Sequence, residues 1–95
     1  MWLDIPSTDG FALLSARPIA GVAPGVEIAF TIDRDAPGDL TLIDIAGRVQ
    51  GRAGLAGLGA GSHTLRLGSA LAPGMYFVRL AHGGRIASAK VVATR

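Results

Sequence analysis

The chain has 95 residues, 49% of them hydrophobic and 17% charged, with a formal net charge of +2. That length supports one domain, and the apolar content excludes intrinsic disorder. Nine Lys and Arg against seven Asp and Glu are too balanced for a nucleic-acid footprint, and the absence of cysteine removes disulfides, thiolate metal sites and cysteine nucleophiles.

Residues 1–10 open with Met1-Trp2-Leu3-Asp4, which has neither a basic leader nor an apolar run. They are expected to be a linker remnant rather than a signal peptide, and residues 11–95 the domain. No window of helical length carries apolar positions at i, i+3, i+4 and i+7 without Gly or Pro inside it. Strand signals recur instead. A first strand is expected over 11–17. Over 26–32, Val26, Ile28, Phe30 and Ile32 alternate with Glu27, Ala29 and Thr31, the period of a half-buried strand. A turn follows at Ala36-Pro37-Gly38-Asp39, where Pro37 presets φ and Gly38 accepts a positive φ. A strand over 39–45 then ends in the tight turn Ala46-Gly47-Arg48, with a short candidate strand over 48–51. Residues 51–61 (GRAGLAGLGAG) form the one low-complexity stretch and are expected to be an irregular loop. A strand over 62–67 follows. Ala72-Pro73-Gly74 introduces a further strand over 76–80, where Tyr76, Val78 and Leu80 alternate with Phe77 and Arg79. The two-glycine turn His82-Gly83-Gly84-Arg85 then hairpins into a last strand over 85–93. Six or seven short strands at this spacing describe an antiparallel sandwich or barrel with an aliphatic core. The longest charge-free runs, 53–65 and 67–78, are too short and too broken by Gly, Pro and polar residues for the roughly 20 apolar residues of a membrane-spanning helix.

Chemistry-bearing residues are sparse. Gly57-Leu58-Gly59-Ala60-Gly61-Ser62 lacks the Gly-Lys-Ser/Thr ending of a phosphate loop and precedes a strand, so it is expected to be a hairpin connection. Asp33, Asp35 and Asp39 are a weak calcium candidate, since hard cations collect carboxylate oxygens; the alternative is a turn whose Asp side chains bind nearby amides. His63 and His82 are expected to be exposed strand-end residues. Neither shows a triad spacing with Ser7, Ser15, Ser62, Ser69 or Ser88, and no catalysis and no cofactor are expected. Arg79, Arg85, Lys90 and Arg95 fall in the last two strands. Arg79 and Arg85 could flank one hairpin as a small positive patch, or serve solubility and edge protection.

Two segments carry a family resemblance. Leu42-Ile43-Asp44-Ile45-Ala46-Gly47-Arg48-Val49 is similar to a hydrophobic–Tyr–Asp–hydrophobic–x–Gly–Arg/Lys–Val strand–turn motif, with Ile43 at the aromatic position. Leu71 to Leu80 (LAPGMYFVRL), followed by Gly83-Gly84 and Lys90-Val91-Val92, resembles a Leu–x–x–Gly–x–Tyr…Gly-Gly…Lys–hydrophobic–Val pattern. Together they resemble the type A C-terminal sorting domains of the bacterial type IX (Por) secretion system and the related Ig-like domain of flagellar hook-capping proteins. The resemblance implies an Ig-like antiparallel β-sandwich of about seven short strands. It also implies a non-catalytic sorting or anchoring role at the end of a larger secreted or cell-surface protein. Asp44, Gly47, Arg48, Gly74, Tyr76, Arg79 and Lys90 are its motif residues. The implied partners are the secretion machinery or surface-anchoring proteins and a covalent upstream cargo domain. The implied location is outside the cell or on its surface, reached through a signal peptide outside this sequence. The alternative is a structural module that self-associates through exposed sheet edges. A sugar-binding module is disfavoured, because only Trp2 and Phe77 are spare aromatics.

Overall fold

The computed structural model describes residues 11–19, 25–68 and 71–93. The expected linker, 1–10, and with it Trp2 and Ser7, lies outside the described residues, as do Ser69 and Arg95. Seven strands follow one another: β1 (Ala12–Ile19), β2 (Gly25–Ile32), β3 (Gly38–Asp44), β4 (Val49–Gly54), β5 (Gly61–Leu67), β6 (Gly74–His82) and β7 (Arg85–Ala93). All pairings are antiparallel. They make one sheet of order β1-β2-β5 and one of order β4-β3-β6-β7. Strands one, two and five face strands three, six and seven, as in immunoglobulin-like sandwiches. The fourth strand pairs with β3 here, not with β5 as in the immunoglobulin constant arrangement.

The core follows from the period-two alternation. Val26, Ile28, Phe30 and Ile32 on β2 face Leu40 and Leu42 on β3 and Tyr76, Val78 and Leu80 on β6, all buried. Each such aliphatic side chain contributes about 1.5–3 kcal/mol of transfer free energy on burial. β2 and β6 are central in their sheets, and their alternation is the cleanest in the chain. Leu55 and Leu71, from outside the strands, are also buried and belong to the same core.

Several boundaries move relative to expectation. β4 runs to Gly54, so the glycine-rich stretch is half strand, and only 55–60 is loop. That loop is anchored rather than free. Leu55 is fully buried and donates its amide to Gly38 O (3.1 Å), and Gly57 N donates to the Asp35 carboxylate (2.7 Å). β3 stops at Asp44, leaving Ile45 on the turn and 75% exposed. Gly38 does not take a positive φ as the turn reading required. It opens β3, and a Cβ there would sit 2.2 Å from Ala81 O, so glycine is needed for close approach of β3 to β6. The His82–Arg85 turn conforms to expectation: Gly83 and Gly84 have φ of 57° and 82°, the signature of a two-residue type I′ hairpin.

Candidate functional site

The two motif segments meet in space. Asp44, the last residue of β3, is the register partner of Tyr76 on β6. Beyond Asp44 the chain reverses through a turn that its own carboxylate organises. Asp44 Oδ1 accepts from the Ala46 and Arg48 amides (both 2.9 Å), while Oδ2 accepts from Gln50 Nε2 (2.9 Å) and Arg48 Nε (3.2 Å). The backbone closes the same turn with Gly47 N to Asp44 O and Asp44 N to Arg48 O, both 2.9 Å. Gly47 sits at φ 87°, which a residue with a Cβ adopts only at a cost. Asp is suited here because its short side chain reaches amides two to four residues on. The Arg48 amide, with the Ala46 amide, the Arg48 guanidinium and Gln50, holds the Asp44 carboxyl below its ordinary value, and partial desolvation opposes this.

Tyr76 lies near the start of β6 with its ring buried, and its hydroxyl donates to Ala72 O at 2.6 Å. A tyrosine at this corner, bonded back to the chain that leads into the strand, is a recurrent device of immunoglobulin-like sandwiches. Space does not demand glycine at position 74, where a Cβ would meet nothing within 4 Å. Its φ of 155° is what favours glycine.

The remaining motif residues, Arg79 and Lys90, point outward from the four-stranded sheet, on β6 and β7. Arg79 and Arg85 do not form a joint patch. Arg85 lies on the opposite side of the sheet, bonded to Asp33 Oδ1 at 2.6 Å and stacked over Phe11 at 4.6 Å from the ring centroid. Both orientations follow from strand alternation through the hairpin.

Asp33, Asp35 and Asp39 do not converge. Asp33 binds Arg85 and, through Oδ2, Arg34 at 3.1 Å; Asp35 holds the Gly57 amide; Asp39 lies on β3, 3.9 Å from Arg52. Among the described residues no three His, Asp or Glu side chains gather to hold a metal ion. Each carboxylate meets a different partner, and only Asp35 takes a backbone amide, that of Gly57, 22 residues on, so the three do not form a turn closed on nearby amides either.

Neither histidine is the exposed strand-end residue expected. His63 is half-buried on β5, beside Phe30, with Nε2 2.9 Å from Gly59 O. His82 is 1% exposed, its ring 6.4 Å from that of Phe11, and neither ring nitrogen has a hydrogen-bond partner among the described residues. The signal was present in the sequence: Tyr76, Val78 and Leu80 face inward, and two more residues along the same period bring His82 to the core. No serine hydroxyl among the described residues bonds either ring. Among those residues, too, no helix is long and apolar enough to cross a membrane.

Comparison of the chain with protein-family models, with curated proteins and with solved structures gives no match.

Proposed function

We propose that this chain is a non-catalytic sorting or anchoring module at the C-terminal end of a larger secreted or cell-surface bacterial protein, read by secretion machinery of the type IX kind. The observation that carries the reading is the register pairing of Asp44 with Tyr76, which joins the two separated segments of the resemblance into one assembled corner. At that corner the Asp44 turn and the Tyr76–Ala72 bond stiffen the sheet where β3 ends and β6 begins. Among the described residues β7 is the last hydrogen-bonded strand of this sheet; β1 of the other sheet packs beside it without joining the ladder, so the outer row of β7 backbone groups stays outside the ladder. A receptor reads such an edge by adding a strand to it, taking affinity from main-chain bonds and specificity from alternate side chains such as Lys90.

The test is export. A reporter with a signal peptide at its front and this chain at its end is expected to reach the surface or the medium of a type IX-competent host. Retention in the periplasm, alongside export of the same reporter by an authentic sorting domain, refutes the reading.

A further inference from the structure

The outer face of the four-stranded sheet carries an apolar strip that neither the core nor the motif corner uses. Register brings Val49, Ile43 and Phe77 into one row across β4, β3 and β6, and Met75 beside Val92 into the next row across β6 and β7. Val49 is 54% exposed, Phe77 39% and Val92 49%. Neighbouring strands lie about 4.8 Å apart, so these side chains form one continuous surface. An antiparallel sheet with one solvated face ordinarily turns polar residues outward. At this end of β6 both faces are apolar.

Charge borders the strip on one side. Lys90 is the register partner of Phe77, and Arg79 stands two residues further along β6 on the same face. The nearby Arg48 and Arg52 are already matched, at 3.2 Å by Asp44 and at 3.9 Å by Asp39. Arg79 and Lys90 have no carboxylate partner among the described residues.

The geometry points to this strip as a docking face for a protein segment that lays apolar side chains on Ile43, Phe77 and Val92 and pairs carboxylates with Arg79 and Lys90. Charge complementarity selects that occupant. Two unmatched cations at fixed places on a rigid sheet suit two carboxylates at matching spacing, and the Arg79 fork can hold one of them bidentately. Anionic lipid surfaces are met by clusters of about four to eight Lys and Arg, more than this face leaves unmatched. A second copy laid face to face offers Arg79 and Lys90 only the carboxylates of Asp39 and Asp44 among the described residues of β3, and both are already matched. The docking face shares Lys90 with the export reading but does not rest on it, since that reading takes its affinity from the β7 backbone edge and this one from the outer side chains.

Random peptides displayed on phage and selected against the whole chain test this. Recovered peptides are expected to combine Asp or Glu with Leu, Ile or Phe. Synthesised with a fluorescent label, they should bind about tenfold or more weakly by anisotropy to Phe77→Ser and to the double variant Arg79→Glu, Lys90→Glu, the usual scale for removing an interface anchor. Replacing the peptides' Asp and Glu by Lys should restore binding to the charge-reversed variant. Circular dichroism establishes that each variant is folded, and if Phe77→Ser is not, the charge reversal alone decides. The proposal is overturned if no peptide is recovered, if recovered peptides show no acidic bias, or if the folded variants bind them unchanged. It is equally overturned if Phe77→Ser abolishes sedimentation with phosphatidylglycerol vesicles or a concentration-dependent dimer, since the occupant is then lipid or a second copy.

Discussion

Replacing His82 by leucine is expected to stabilise the domain. The imidazole is fully buried and both ring nitrogens lack partners among the described residues. Neutral histidine carries one donor and one acceptor, and each buried group left unsatisfied costs about 1–3 kcal/mol. The nearest carboxylate, Asp33 Oδ1, is 4.0 Å from Nδ1 and already accepts from Arg85 at 2.6 Å. Leucine removes both orphaned atoms while still filling most of the ring's space beside Phe11, and imperfect shape gives back up to about 1.5 kcal/mol. The net expectation is a gain of at least about 0.5 kcal/mol, two orphaned groups at the low end of their cost less the largest misfit, read as a higher urea midpoint at unchanged m value. In a domain this size each kcal/mol also raises the melting temperature by roughly 4–8 °C. His82→Ala removes the same orphans but leaves a cavity, so it should fall below the leucine variant. Asp33→Asn in both backgrounds should show a coupling below about 0.5 kcal/mol, as for groups that share no bond. A leucine variant that loses 1 kcal/mol or more, roughly the worth of a made hydrogen bond, would refute the reasoning by showing that the ring is bonded in solution.

Four further outcomes follow from the packing and the motif corner. Gly38→Ala places a methyl 2.2 Å from Ala81 O and should cost about 1–3 kcal/mol in urea unfolding, whereas Gly54→Ala, with nothing within 4 Å, should be neutral or stabilise by up to about 1 kcal/mol. Leu55→Ala should lose about 2–5 kcal/mol, as for a buried core leucine, and a loss near zero would return the glycine-rich segment to a free loop. Tyr76→Phe keeps the ring and deletes the 2.6 Å bond to Ala72 O, so thermal melting should show a loss of about 1 kcal/mol. The Asp44 carboxyl is depressed in the fold, so its ionised form supports the folded state at pH above the ordinary value of 3.8, and that support fades as pH falls below it. The stability difference between wild type and Asp44→Asn, followed by urea midpoint from pH 7 downward, should therefore be level near neutrality and shrink in that acid window.

Much of the fold was legible because strand alternation is a local signal. β7 runs over the residues its pattern marked, and β2 and β6 differ only at their ends. What could not be read was whatever depends on pairing between distant segments. Nothing local marks Leu55 as a core residue, because its glycine-rich neighbours carry no period; a hydrogen bond to Gly38 and the space at one end of the sheets decide it. Gly38 was legible as a required glycine but for the wrong reason, since the Ala81 carbonyl that crowds it belongs to another strand. The Asp33, Asp35 and Asp39 cluster was a cluster in sequence only, because each carboxylate is drawn to a different donor. His82, by contrast, continues the inward alternation of Tyr76, Val78 and Leu80 by one period, so its burial is a local signal. The outer strip required the register of four strands, and on β3 and β4 a bulge at Gln50 sets Val49 opposite Ile43.

Phe11 lies at the pole of the sandwich occupied by His82 and Arg85, while Ala93 lies at the opposite pole, paired with Gly74. Tension applied between those two residues therefore runs parallel to the strands. It slides β1 along β2 and β7 along β6, loading whole rows of backbone bonds together instead of peeling them one after another. Held this way, the sandwich resists force as a link in series, with its two terminal strands as the grips.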